Sequence, residues 1–295
     1  EAFAHAAGAG VTDRFAHIPR ILYRWHVVAR SMSRFIDPKT QKLKQTSNLD
    51  ETTRRVVQEH FKRIGSNAAI DIVGHWAWPT FPPAKLGRVT IIIGTKDQPA
   101  RLARCIESIE ENTDYPDFQI LIIDNGSQMP ATRQLLDQLG TRHRVERIES
   151  GPEGFNFSHL NNEGARLADS PMLLFLNDDT IVLKKGWLSA MVGTLQLPSV
   201  EVVGARLLYP NRLNQHAGLI LGALGWGPWH ALIGLPADTQ AYGGYLTFPH
   251  NAIAVTGACL LTRRETFFDV GGFDAKDLAV SFNDVDFCLR VHARG

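Results

Sequence analysis

The chain has 295 residues, 44% of them hydrophobic and 21% charged, enough for one large globular domain or a domain with an appendage. A formal net charge of +1 gives no strong basic field for counterion release, which sets nucleic acid aside as the main partner. Cys105, Cys259 and Cys288 stand at scattered positions with neither disulfide-framework nor metal-ligand spacing, so a reducing, cytoplasmic setting is expected.

Residues 1–85 are rich in Arg, His and Ala. Within them, residues 51–64 (ETTRRVVQEHFKRI) read as an amphipathic helix, and residues 76–83 (WAWPTFPP) as an extended linker. The chain begins at Glu1 without a methionine or a signal peptide and is expected to be a segment of a longer protein.

From residue 86 onward the pattern alternates. Residues 89–93 (VTIII) form a β-branched run that predicts a fully buried strand. Pro99 then opens a helix whose Leu102, Cys105, Ile106 and Ile109 fall on one face at the i, i+3, i+4, i+7 spacing. Residues 120–123 (ILII) predict a second strand, the leucines at 135, 136 and 139 a helix, and residues 145–148 a short strand. A helix over 158–168 leads to another buried strand, 172–176. The expected architecture is α/β: a mostly parallel sheet with helices on both faces, where ligands bind beyond the carboxyl ends of the strands.

The second half is less regular. Residues 202–207 and 253–261 predict strands, residues 266–270 a helix, and residues 283–292 a last helix. The apolar stretch 217–235 (AGLILGALGWGPWHALIGL) is interrupted by Gly222, Gly225, Gly227, Pro228 and His230, and reads as a buried or interfacial loop rather than a membrane span.

Three strand ends carry polar clusters: 95–97, 124–127 and 177–180. In the last, "FLNDDT", an apolar strand runs into Asn177, Asp178 and Asp179. Adjacent carboxylates repel, so a positive partner is expected, and a hard divalent cation bridging a diphosphate suits them. Capping of the following segment is the alternative. Asp124 suits a base N–H of uracil or thymine, or an Asx-type turn in D-N-G-S. Asp284 and Asp286 either complement a helix dipole or supply a general base. His159, His216 and His230 show no H-x-x-x-H spacing, and Ser158 lacks a G-x-S-x-G setting. Trp226 and Trp229 suit sugar stacking or, more commonly, buried packing. Neither G-x-x-x-x-G-K-[ST] nor G-x-G-x-x-G follows the first strand, which excludes P-loop and dinucleotide readings.

Taken together, VTIIIGTKD (89–97), LIIDNGS (121–127), GFNFSHLNNEGARLADSPMLLFLNDDT (154–180), TGACLLTRRETFFDVGGFD (256–274) and NDVDFCLR (283–290) resemble family 2 glycosyltransferases of GT-A fold, especially bacterial members that build O-antigen and other surface polysaccharides. The resemblance spans residues 86–295. It implies an inverting transferase that moves a sugar from a UDP- or dTDP-sugar donor to a glycan or lipid-linked acceptor, with a divalent cation, Mn²⁺ or Mg²⁺. A non-catalytic sugar-nucleotide-binding module is the alternative.

In the implied site Thr95, Asp97 and Asp124 contact the donor, Thr95 and Asp124 lining the base pocket. Asn177 and Asp178 hold the sugar nucleotide, with Asp178 at the ribose, and Asp179 binds the metal. Asp284 is the expected catalytic base, although Asn283 stands where the family carries an acid. Residues 17–33 resemble the tail of a preceding glycosyltransferase unit, with His17 where the family has a metal-site histidine, so a tandem protein is expected. A peripheral position at the inner face of the membrane accords with a lipid-linked acceptor.

Overall fold

A computed structural model describes residues 47–73, 76–85, 87–151, 154–222, 227–239 and 244–294; His17 and the rest of the expected upstream tail lie outside them. The chain divides into two compact units, residues 1–79 and 80–295. In the first, the amphipathic stretch forms helix α1 (Ser47–Arg63). Strands β1 (Ala69–Val73) and β2 (Trp76–Thr80) pair as a two-stranded sheet. The expected linker is therefore partly a strand. Pro79 is tolerated there because a two-stranded sheet is all edge, so a missing N–H costs no interior ladder bond.

The second unit is built on a six-stranded sheet whose strands lie in the spatial order Arg144–Arg147 (β5), Phe118–Asp124 (β4), Val89–Thr95 (β3), Met172–Leu176 (β6), Cys259–Arg263 (β12) and Val202–Gly204 (β7). Its parallel part comprises β3 (Val89–Thr95), β4 (Phe118–Asp124), β5 (Arg144–Arg147) and β6 (Met172–Leu176). The β-branched run of β3 lies at the centre, flanked by β4 and β6. Its side chains alternate between two cores, as a period of two requires. Ile91 and Ile93 pack on one face against Leu102 and Ile106 of α2 (Pro99–Asn112), Leu136 of α3 (Pro130–Leu139) and Leu188 of α5 (Trp187–Leu195). Ile92 joins the opposite core with Leu160 of α4 (Phe157–Leu167), Phe267 of α6 (Arg264–Asp269) and Phe287 of α7 (Asn283–Ala293). All three isoleucines are fully buried, and each contributes about 2 kcal/mol of transfer free energy.

Local chemistry fixes the helix starts. Pro99 and Pro130 occupy the first turns of α2 and α3, where a missing N–H costs nothing. Asn156 caps α4 by accepting from the His159 N–H at 2.8 Å. Gly164 lets α4 lie close on the sheet, since a Cβ there would stand 2.6 Å from Ile92 Cγ2.

Two expectations for the second half are corrected. The strand expected at 202–207 is two short pieces, β7 (Val202–Gly204) and β8 (Leu207–Leu208). The strand expected at 253–261 begins only at β12 (Cys259–Arg263), antiparallel to both β6 and β7. The residues before it leave the ladder for other partners: Ala254 bridges Leu219, and the Gly257 N–H turns to Asp284. Helix α5 carries no sequence signal because it is apolar nearly all round, with Leu188, Met191, Val192 and Leu195 buried.

Between β8 and β12 the chain makes an excursion containing β9 (Asn214–His216), β10 (Leu219–Ile220) and β11 (Trp229–His230). The stretch at 217–235 thus includes an antiparallel pair, with Leu219 opposite His230 and Ile220 opposite Trp229. Trp229 is half exposed rather than packed, and Trp226 lies outside the described residues. Arg206 pins the excursion, its guanidinium donating to Asn214 Oδ1 (3.1 Å) and to the carbonyl of Ala237 (2.8 Å). Among the described residues no helix is long and apolar enough to cross a membrane.

Candidate active site

The register of the parallel strands brings the polar strand ends together. Thr95 pairs with Asp124 across β3 and β4, and Ile92 pairs with Phe175, which carries Thr95 alongside Asp178 beyond the end of β6. The Thr95 hydroxyl donates to Asp178 Oδ2 at 2.8 Å. The other carboxylate oxygen accepts from Arg101 Nη2 at 2.6 Å, a charge-assisted bond from the first turn of α2. Asp178 is buried, 6% exposed, so this partner compensates a charge that could not otherwise be sequestered. Arg101 is the positive group the adjacent carboxylates require. Its bond to Asp178 raises the guanidinium pKa further, keeping it charged. Arg101 carries no signal in the sequence, because an exposed arginine in a first helical turn belongs to no motif.

Asp97 and Asp124 are held on the neighbouring side. Asp97 takes a left-handed backbone conformation (φ 49°), and its Oδ1 accepts from the N–H groups of Gln128 (2.8 Å) and Met129 (2.7 Å), clasping the β4–α3 loop. Asp124 Oδ1 accepts from the Ser127 N–H at 2.9 Å, a turn of the kind D-N-G-S suggests, while Oδ2 faces Arg147 at 3.9 Å. Asp124 is buried at 4% exposure. Turn geometry therefore occupies one of its oxygens.

A cleft of about 650 Å³ opens beyond the carboxyl ends of β3 and β6. Thr95, Arg101, Asn177, Asp178, Asp179 and Asp284 all line it. Asn177 is fixed by its main chain, its N–H donating to the Ala258 carbonyl at 3.1 Å. Asp179 is exposed, unlike its neighbour. Among the described residues no cluster of three or more His, Cys, Asp or Glu side chains is arranged to hold a metal. One open carboxylate still fits a hard divalent cation that takes its remaining ligands from water and phosphate oxygens.

The structure separates the two carboxylates of α7. Asp286 is engaged by Arg290, one turn on, at 2.6 and 2.9 Å, and Arg290 also donates to the Gly272 carbonyl at 2.7 Å. Asp286 thus ties the helix to the Gly271–Gly272 turn. Asp284 instead lines the cleft, with Oδ2 accepting from the Gly257 N–H and Oδ1 from the Val285 N–H, each at 2.8 Å. These two bonds fix the direction of its carboxylate. Phe282, which precedes the helix with a left-handed φ of 64°, lines the same mouth half exposed.

His216 and His230, distant in sequence without ligand spacing, meet with Nδ1 to Nδ1 at 2.8 Å, and His230 lines the cleft. Burial pushes the His216 imidazole down to about 3 and lowers His230 as well, with Asp284 opposing the shift at His230. Cys105, Cys259 and Cys288 are all buried, and burial pushes each thiol up to about 12, which excludes thiolate chemistry near neutrality.

A parallel-stranded α/β sheet with a carboxylate-rich cleft at its carboxyl edge defines a GT-A type glycosyltransferase fold. Residues 90–267 match the model of Glycosyl transferase family 2, and the chain belongs to that family. It is 34% identical over 289 residues to the uncharacterized protein y4gI of Sinorhizobium fredii, covering 97% of this chain and 31% of that protein. It is also 34% identical over 255 residues to the O-antigen biosynthesis protein RfbC of Myxococcus xanthus, covering 84% of this chain and 20% of that one. The chain therefore spans about a third and a fifth of these two relatives. The fold is similar to that of the mannosyltransferase PcManGT from Pyrobaculum calidifontis, solved with GDP-Man and Mn²⁺, with a TM-score of 0.52 at 16% identity over 84% of this chain and 62% of that one.

Proposed function

We propose that this chain is an inverting glycosyltransferase that moves a sugar from a UDP- or dTDP-sugar to a hydroxyl of a glycan or lipid-linked acceptor in polysaccharide assembly. The reaction would take place in the cytoplasm, at the inner face of the membrane. The observation that carries this reading is the shared cleft. Asp178 and Asp179 at the end of β6 and Asp284 at the start of α7 line one cavity, although they belong to distant parts of the sequence. The name of the M. xanthus relative supports the pathway class.

Thr95 and Asp124 hold the nucleobase, with Asp97 shaping the loop beneath it. Asp124 in this role accepts from a pyrimidine N–H. Asn177 and Asp178 hold the donor, with Asp178 accepting from the ribose. Asp179 is the residue that would hold a divalent cation, Mn²⁺ or Mg²⁺, and the Mn²⁺ of the P. calidifontis transferase supports such an ion. When bound, the cation supplies positive charge for the diphosphate. Lys96 and Arg101, which line the same cleft, are the chain's own positive charges on that side.

Asp284 is the general base. It takes the proton of the acceptor hydroxyl as that oxygen bonds to the anomeric carbon. The bond from that carbon to the diphosphate oxygen breaks in the same step, and the nucleoside diphosphate leaves with the electron pair. Attack from the opposite face inverts the configuration, as in the inverting hydrolases with a sugar hydroxyl in place of water. Turnover of UDP- and dTDP-sugars, with anomeric configuration read by NMR, tests the reading. Release of product with inverted configuration supports it, and a retained configuration or binding without turnover overturns it.

A further inference from the structure

The excursion between β8 and β12 pairs a buried histidine, His216, with a partly exposed one, His230, and their protons can be placed from their partners alone. His216 is 1% exposed. Its Nε2 accepts from the backbone N–H groups of Gly218 and Thr256, each at 3.3 Å. A ring nitrogen that receives N–H donors uses its lone pair and carries no proton, so the proton of the neutral ring is on Nδ1. That Nδ1 lies 2.8 Å from His230 Nδ1. His216 therefore donates, His230 Nδ1 accepts, and the remaining proton of His230 is on Nε2. Protonating His230 at Nδ1 would set two N–H groups face to face. The depressed basicity of both rings accords with this neutral arrangement.

The pair shares one frame with Asp284. Consecutive N–H groups of a single short segment hold both: Thr256 donates to His216 Nε2, and Gly257 donates to Asp284 Oδ2. His230 and Asp284 line the same cleft, and Asp284 is near enough for its charge to act on the His230 imidazole. A cleft lined by an imidazole N–H donor and by a carboxylate acceptor can serve two hydroxyls of one sugar ring.

We infer that His230 binds the acceptor sugar by donating its Nε2–H to the oxygen adjacent to the nucleophilic hydroxyl, with His216 as the positioning residue that locks the tautomer. The acceptor class is accordingly a pyranoside with a vicinal diol at the site of transfer. The inference rests on Asp284 being the base. It also excludes His230 Nε2 as a metal ligand, because that nitrogen has no free lone pair while His216 donates to Nδ1.

The test has two arms on the full chain. Nitrogen-15 NMR of histidine-labelled protein at neutral pH should show His216 protonated on Nδ1 and His230 on Nε2. Adding methyl α-D-mannopyranoside should shift the His230 Nε2–H signal, and the 2-deoxy and 3-deoxy analogues should not both do so. Any other tautomer pair, or a signal that no glycoside moves, overturns the inference. In transfer assays with the same glycosides, His230→Ala should raise the acceptor KM about tenfold and leave the donor KM unchanged, and His230→Gln, which keeps an N–H, should recover most of the loss. An unchanged acceptor KM, or an equal rise in donor KM, overturns it. Asp284→Asn separates the two readings: kcat retained in that variant refutes the base assignment whatever the histidine variants do.

Discussion

Thr95 and Asp178, 83 residues apart, share a hydrogen bond of 2.8 Å where β3 and β6 leave the sheet side by side. The bond joins a buried hydroxyl to a buried carboxylate, and it also sets the position of the Asp178–Asp179 pair at the cleft. Thr95→Val keeps the shape and removes the donor. It should cost about 2 kcal/mol, the range for hydrogen bonds to charged groups. Urea unfolding should show a lower midpoint at unchanged m-value. A midpoint equal to that of the parent would mean that the bond contributes nothing to the folded state.

Asp284 and Asp286 stand two positions apart on one helix and should fail differently. Asp284→Asn should lower kcat about 10²- to 10⁴-fold with little loss of stability. Asp286→Asn should leave kcat within a few-fold, because its carboxylate faces Arg290 rather than the cleft. With both partners about a third exposed, the stability cost should be modest, about 1 kcal/mol. Steady-state kinetics beside thermal unfolding checks both, and a reversed pattern would reassign the base.

Gly164 allows α4 to approach the sheet. An added methyl meets Ile92 Cγ2 at 2.6 Å and Ile123 Cγ1 at 3.4 Å, both in the packed core. Gly164→Ala should therefore destabilise by about 1–3 kcal/mol despite the better helix propensity of alanine. A neutral or stabilising effect by calorimetry would show that the helix can lift away freely.

His216 gives the stability a pH dependence of definite sign. Burial lowers its folded-state pKa from 6.5 to about 3, so between those values the unfolded chain binds a proton that the native chain does not. Stability is then fully present above about pH 6.5 and falls as the pH drops toward 3, by about 2 kcal/mol at pH 5. His216→Asn should flatten that part of the curve. If the two proteins lose stability in parallel from pH 7 to about pH 5, the buried neutral imidazole is not the cause.

The parallel-stranded half of the fold is legible because its signals are local. Ile91, Ile92 and Ile93 form a buried run, and Leu102, Cys105, Ile106 and Ile109 trace one helix face that the structure buries completely. The carboxylates at the strand ends are legible for a related reason: a polar cluster after an apolar run marks the edge where parallel strands end. The second half is not legible in this way. Helix α5 has no polar face, and the excursion is held by single side-chain bonds such as Arg206 to the Ala237 carbonyl and His216 to His230, which follow no period. Arg101 is illegible for a similar reason, since its partner Asp178 lies far along the chain, and His230 meets His216 at a spacing that belongs to no motif.

In the donor site proposed for Asp178 and Asp179, the exposed carboxylate serves a cation and the buried one serves the nucleotide. Calorimetric titration of UDP and dTDP with and without Mn²⁺, on the parent chain and on Asp179→Ala, tests it most directly. Binding should be metal-dependent in the parent and weakened about tenfold or more in the variant, with the fold intact by circular dichroism. Equal affinity with and without Mn²⁺, or binding unaffected by the substitution, would contradict the role given to Asp179.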